Sequence, residues 1–507
     1  MSRSAISQEN GTFVVKRRTS ARLRKKNQRV KDLRRRRELE QRTTRWTTSL
    51  HLAGSTTGLV PAVGVPLLRL LAEESGLRAG LSKALYRAGF SPVHDRGQVV
   101  TDVAVTLAHG ASNVAAAADV LQQAQVVCGP AASTATLWRA FNDLDATALA
   151  ALAAARAAQR RKVWAALAAR PDGFPWLQVA GQLWDGWIVI DVDASLVESH
   201  SDKQGAAPTF KKHIYGLHPI VVSVANTSEV LAVLLRNGNA GSNTVTDHVT
   251  VLSEAIAQIP ARYRRKIIFR ADGAGATKDL LTWIKTEAAR NGYTWHYSVG
   301  FDVTEAVRTA ITTVPADVWV PALTAEGTVR RGAHTTEITG LLELADGWPA
   351  GQRTLARTEP LHPKHRKQAS EVEKRRGQRF QAVATDLPGH HYPKLDAFHR
   401  NHAGVETVIK DAKNLGLKRL PSYYLTFNQA WCVAVAIACD LLAWLRLLTL
   451  DHHPSLTKAT PDTLRSLLHI PARLVRHARR RLIRLPADHP HAGDLTYAWQ
   501  KIRALPT

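Results

Sequence analysis

The chain has 507 residues, too many for one ordinary core, and suggests two or three compact units. Its 68 Lys and Arg stand against 42 Asp and Glu, a formal charge of +26. Such an excess points to a polyanion, nucleic acid above all, with an anionic membrane as the alternative. Hydrophobic residues make up 45%, enough to fold most of the chain, and three cysteines (Cys128, Cys432, Cys439) exclude a disulfide scaffold or a cysteine-based zinc module. No uninterrupted apolar run of about 18 residues occurs, so no membrane span is expected. The polar, charged leader does not read as a signal peptide, and the expectation is a cytoplasmic protein that meets nucleic acid.

Residues 1–45 hold 16 Lys and Arg against four acids (Glu9, Asp32, Glu38, Glu40), an excess of 12. With few apolar residues this is expected to be a disordered arm or a fraying helix, either a DNA-binding arm or a dispensable extension. From 46 to about 170 the spacing is helical. Residues 98–109 repeat apolar positions every three or four and stop at Gly110. Segments 113–125 and 133–143 follow as short helices, the second capped by Ser133. Asp145 then caps an Ala-rich helix ended by Pro171-Asp172-Gly173. Spacing leaves two readings of this region (46–180): a helix-turn-helix presenting Trp138 and Arg139 to a DNA groove, or plain helical packing.

After Trp184 the period changes. Strands are predicted at 187–193 (WIVIDVD), 219–224, 229–235, 266–272 (KIIFRAD) and 293–300, with helices at about 244–259 and 278–291. The glycine-rich RNGNAGSNT, 236–244, lacks a Walker lysine and is expected to turn tightly into the helix after Thr244, with Ser242 or Asn243 as cap. The order β-β-β-α-β-α-β describes an α/β fold with a mixed sheet flanked by helices over 181–300. Residues 301–390 alternate short β-like stretches with charged loops, as a β-rich insertion would. Residues 397–415 return to helix, 427–448 form an apolar core helix, and the basic region 451–507 clusters Arg473, Arg476, Arg479, Arg480, Arg481 and Arg484.

Two acids close apolar strands, Asp193 in WIVIDVD and Asp272 in IIFRAD. A carboxylate beside a core strand is costly unless paired or metal-bound. Asp191, two residues before Asp193, lies on the same face, and spacing does not say which of the two faces a metal. In HRNHAGVETVIKDAK, His399, His402, Glu406, Lys410 and Lys413 trace one stripe of a helix. That stripe is either a solvated charged face or an engaged one. Trp295, Trp319 and Trp348 are expected in the core rather than stacked on an extruded base, and Cys432 and Cys439 in the core of their helix.

The ordered series DVDASLVESH (191–200), GAAPTFKKHIYGLHP (205–219), RNGNAGSNTVTDH (236–248), FRADGAGA (269–276), RTEPLHP (357–363), the Glu406 helix and NQAWCVAVAIACDLL (428–442) resembles the DDE transposases of bacterial insertion sequences, in particular insertion-sequence family 1380. The resemblance covers roughly residues 50–485. It implies a ribonuclease-H-like core split by the insertion and resumed at 391–450, and an all-helical N-terminal DNA-binding domain. It further implies catalytic and metal-binding acids Asp193, Asp272 and Glu406, the first because the family's acid precedes a small residue and then Ser or Thr, here Ala194-Ser195. In related transposases the Glu helix carries Tyr, Arg, Glu and Lys at fixed spacing. Here Glu406 and Lys413 keep it, while His399 and His402 stand in the Tyr and Arg positions.

Three carboxylates suit hard divalent ions, two Mg²⁺ with Mn²⁺ as substitute. Lys413, Lys410, His402 and His399 are the expected DNA-phosphate contacts, although a histidine is only partly charged near neutral pH. The expected partners are the double-stranded DNA of transposon ends and target, bound by a homodimer that synapses two ends. The rivals are a metal-dependent nuclease of the same core without strand transfer, and an inactivated copy that only binds DNA.

Overall fold

The computed structural model describes residues 24–34, 58–209, 214–241, 244–343, 347–389, 391–477 and 480–505. Contacts divide the chain into a unit of residues 1–57 and a unit of residues 58–507. In the first, residues 24–34 form an exposed helix, and the rest of the expected arm lies outside the described residues.

The second unit begins with helices whose ends follow their capping residues. They are α1 (Gly64–Glu74), α2 (Leu77–Ala84), α3 (Arg96–His109), α4 (Val114–Gln123), α5 (Thr134–Asn142) and α6 (Ala146–Ala168). Asp95, Asn113, Ser133 and Asp145 each accept a hydrogen bond from a backbone N–H three residues on, filling a vacancy at the helix start. Gly110 ends α3 at φ +119°, a conformation open to glycine but costly for other residues. On α5, the Trp138 ring lies 4.4 Å from that of Phe427 and is half-buried, while Arg139 is exposed.

The centre is a nine-stranded sheet. Five strands come first: β1 (Ile188–Ala194), β2 (Ile220–Val224), β3 (Glu229–Leu234), β4 (Lys266–Ala271) and β5 (Thr294–Phe301). The residues 301–390 add β6 (Val320–Leu323), β7 (Val329–Glu337), β8 (Arg353–Pro360) and β9 (Gln378–Thr385). The spatial order is β6-β7-β8-β9-β5-β4-β1-β2-β3. β1, β4 and β5 run parallel, whereas β2 and β3 on one side and β9 to β6 on the other are antiparallel. Val and Ile dominate β1, β2 and β4 because helices cover both faces; nearly every position is buried. The insertion therefore extends the central sheet in register through β9.

Helices α7 (Val245–Gln258) and α8 (Lys278–Asn291) cross over between strands. Thr244 occupies the capping position of α7; Ser242 and Asn243 lie outside the described residues. After α9 (Glu305–Thr313), the chain closes through α10 (Tyr392–Arg400), α11 (Gly404–Ala412), α12 (Leu425–Thr449), α13 (Pro461–Leu468) and α14 (Ala492–Arg503). By length and composition α12 could cross a membrane, a property not credited to its sequence above, but 83% of its most apolar stretch is buried inside the protein. It packs on α3, α6 and β3. Cys432 and Cys439 are buried in it as expected, and Trp295 is 2% exposed with its indole N–H donated to the Arg264 carbonyl at 2.7 Å.

A buried cluster of charge joins these layers. Arg160 of α6 donates to Glu229 of β3 at 2.8 Å and to Asp440 of α12 at 2.7 Å, and Arg156 reaches Asp440 at 2.8 Å. Trp164 and Trp444 donate their indole N–H groups to Glu229 at 2.7 and 2.8 Å. Two cations and two anions thus cancel where water is excluded, with hydrogen bonds to spare, the condition for a buried pair to be tolerated.

Candidate active site

The site forms at the C-terminal ends of the neighbouring parallel strands β1 and β4. Asp191, still inside β1, faces Arg270 across the sheet. Arg270 grips both its oxygens at 2.7 and 2.8 Å, and His402 Nδ1 lies 3.0 Å from Oδ1. Burial would raise this carboxyl, but the Arg270 guanidinium and the His402 bond outweigh it and hold it below the ordinary range. Arg270 also donates to the Phe398 carbonyl at 2.8 Å and lies 4.8 Å from that residue's ring. Asp191 is thereby committed to tying β1 to β4 and α10.

Asp193, two residues on, has another environment. The register pairs Val192 with Ala271, so Asp272 follows beside Asp193. The partly buried Asp193 carboxyl is pushed up to about 6, first by burial, then by the negative charge of Asp272 and more weakly Glu406. His402 and the Ala194 backbone only partly offset this. Asp272 and Glu406 are exposed. Among the described residues no three His, Cys, Asp or Glu are drawn together closely enough to hold a metal ion. The acids sense one another's charge across an open mouth without closing into a cage.

The turn carrying Asp272 is fixed by small residues. A Cβ on Gly300 would stand 2.9 Å from the Gly273 nitrogen and 3.2 Å from the Asp272 carbonyl carbon, and one on Gly275 would stand 2.4 Å from Ala271 Cβ. On the far side, buried Arg236 donates to the carbonyls of His218 and Gly241 at 3.0 and 2.8 Å and pairs with Asp247 at 3.1 Å. These bonds staple the glycine-rich loop in front of α7. His248, near enough to sense Asp272, bonds the Thr244 carbonyl at 2.9 Å.

The Glu406 stripe is assembled from pieces rather than one continuous helix. α10 ends at Arg400, a 3₁₀ turn spans Asn401–Ala403, α11 carries Glu406, and a wider π turn covers Lys413–Leu417, closed by Gly416 at φ +119°. His402, Glu406 and Lys413 all lie near Asp193. Lys413 is partly buried; burial lowers its affinity for a proton and the Asp193 charge opposes that. Lys410 is exposed, and its charge is felt by Asp411. His399 is turned under the helix, its Nδ1 3.2 Å from Ser298 Oγ and 3.3 Å from the Ser298 carbonyl. Burial, with His402 and Arg270 adding to it, pushes its imidazole down to about 3, so it is neutral.

Asp272, Glu406, His402 and Lys413 thus lie close enough to Asp193 for their charges to act on one another, though not as a closed metal-binding cluster, while Lys410 is exposed and His399 is seated on Ser298. Sequence reasoning missed Arg270 and Arg236. The signal for Arg270 was present: an arginine two residues before Asp272, on a strand predicted to share a sheet with the one that bears Asp191 and Asp193.

By the match of its sequence to a family model, this chain is a DDE transposase. It belongs to the family Transposase DDE domain group 1, whose model it matches over residues 47–507. Comparison with curated proteins finds no match. Among solved structures, the chain is similar to the piggyBac transposase in its synaptic complex with hairpin DNA, at 11% identity, a TM-score of 0.37 and 82% coverage of each chain.

Proposed function

We propose that this transposase acts on the ends of its own insertion sequence, nicking them and joining the freed 3′-OH to target DNA. Asp193, Asp272 and Glu406 would be the catalytic acids of a ribonuclease-H-like core, the reading that the strand order β3-β2-β1-β4-β5 supports. The carrying observation is placement: Asp193 closes β1 beside the end of β4, where Asp272 follows Ala271, and the charges of Asp272 and Glu406 with burial raise the Asp193 carboxyl, a situation that a divalent cation would relieve. The donor set is all hard oxygen, which fits Mg²⁺, with Mn²⁺ as substitute, better than a soft ion. When bound, two such ions would activate the attacking oxygen and neutralise charge on the departing one.

The chain's own groups do the rest. Arg270 and Asp191 lock the two strand ends in register, and the Asp191 carboxylate fixes the His402 ring. Lys413, drawn toward Asp193, supplies a positive charge where a backbone phosphate would approach, and exposed Lys410 extends that charge along the helix. Membership of insertion-sequence family 1380 and a homodimer that synapses two ends belong to the same proposal.

Purified protein incubated with a plasmid carrying the gene's flanking DNA, with and without Mg²⁺, tests it when breaks are mapped to the nucleotide. Breaks at the element's ends that need Mg²⁺ and vanish in Asp272→Asn are expected. Breaks without end preference would make this a nuclease, and cleavage by Asp272→Asn at the wild-type rate would sink the acid assignment.

A further inference from the structure

The C-terminal arginines fold into a ribbon. Ala472–His477 pairs antiparallel with Arg480–Arg484, and the ribbon's base is stitched to Leu59–Val60. The register sets Arg473 opposite Arg484 and Arg476 opposite Arg481. Side chains directly opposite one another have Cβ atoms about 5 Å apart, so each arginine pair destabilises the ribbon that holds it. Residues 472–484 contain no Asp or Glu to neutralise them, and Arg473, Arg476, Arg480, Arg481 and Arg484 are exposed.

The two faces differ, because side chains alternate across a ribbon. Leu474 and Ile483 face inward over a cavity of about 530 Å³ shared with Leu70, Leu495 and Trp499. Arg481 is on this inner side and donates to the Val126 carbonyl. The other face carries Arg473 with Arg484, then Val475 with Leu482, then Arg480. Leu482 is 42% exposed. Val475 is half-buried and Leu482 also borders the cavity, so the arginines are what this face leaves without a partner charge in residues 472–484. A polyanion supplies the missing counter-charge, and a two-stranded ribbon fits the DNA major groove.

We propose that this ribbon docks duplex DNA, with Arg473, Arg484 and Arg480 on backbone phosphates. The proposal rests on the transposase reading for its choice of DNA as the polyanion. It assigns the ribbon to binding, separate from the acids that cut.

The test compares the full-length chain with Arg473→Ser/Arg484→Ser and Arg473→Lys/Arg484→Lys on one fluorescent duplex from the element's end, by anisotropy across a salt series. Losing two phosphate contacts should make the slope of log affinity against log salt shallower by about 2 and weaken low-salt binding at least tenfold. The lysine variant should keep the slope. The thermal midpoint of the serine variant should stay level or rise, because a repulsive pair has gone. Wild-type binding with an unchanged slope in the serine variant would overturn the ribbon assignment alone. Weaker binding with a lowered midpoint would make the arginines structural and overturn it too. A wild-type chain that binds no duplex would overturn both this inference and the function proposed above.

Discussion

Asp191→Asn and Asp193→Asn are the same chemical change made two residues apart, and their expected consequences are opposite. Asp191 is 2% exposed and holds both its oxygens against Arg270, which is 0% exposed. Neutralising it leaves a guanidinium buried without counter-charge, a loss of about 3–5 kcal/mol. The Phe398 carbonyl still accepts from Arg270 and Asn keeps one acceptor, so the lower end, about 3 kcal/mol, is expected.

Asp193 has a carboxyl raised from 3.8 to about 6. At 1.36 kcal/mol per unit its ionisation costs the metal-free fold at most about 3 kcal/mol, and solvent at this open site reduces that to about 1 kcal/mol. The folded state holds the proton more tightly, so stability falls as pH rises between about 4 and 6, and the whole cost is present above 6. Asp193→Asn should therefore be slightly more stable than wild type at pH 8 with EDTA, equal to it at pH 4, and inactive. Denaturant midpoints at the two pH values, paired with Mg²⁺-dependent end cleavage, check this. An Asp191→Asn protein as stable as wild type, or an Asp193→Asn protein less stable than Asp191→Asn, would refute the division of labour between the two acids.

Gly300→Ala places a methyl against the Gly273 nitrogen and the Asp272 carbonyl carbon, so that turn must move. Cleavage should fall at least tenfold while end binding is kept, and an active variant would show that Asp272 needs no such precision. Asp102, 5% exposed on α3, has a carboxyl pushed up to about 6 by burial that Arg69 at 3.1 Å only partly counters. Its share of stability is present at low pH and lost as pH rises from about 4 to 6, about 3 kcal/mol at most. Asp102→Asn should flatten that part of the stability profile, and an unchanged profile from denaturant midpoints would contradict it.

Strands β1 to β5 and their acids were legible because Val and Ile runs stop at Asp193 and Asp272, and a charge at the end of such a run marks an edge where solvent begins. The helix caps were legible for the same local reason: Asp95, Asn113, Ser133 and Asp145 act within three residues of themselves. What failed to show was distant. Asp191 and Arg270 stand 79 residues apart, and that pairing engages one acid of the DVD motif and leaves the other free of it. His399 and His402 share one stripe in sequence, but α10 ends between them and the 3₁₀ turn that carries His402 sends it to Asp191, while His399 lies at Ser298. The C-terminal arginines declared their charge and hid their strands, since a repelling pair is the opposite of what strand patterning leads one to expect.

The four-charge cluster under the sheet has a consequence for how the protein is made. Arg156 and Arg160 leave the ribosome early, Glu229 follows, and Asp440 emerges about 280 residues after Arg160. Until it does, α6 presents two arginines shaped for burial with at most one carboxylate to receive them. The burial of these two arginines is therefore complete only once α12 docks and supplies Asp440. Expression of residues 58–180 alone should yield an insoluble product for this reason.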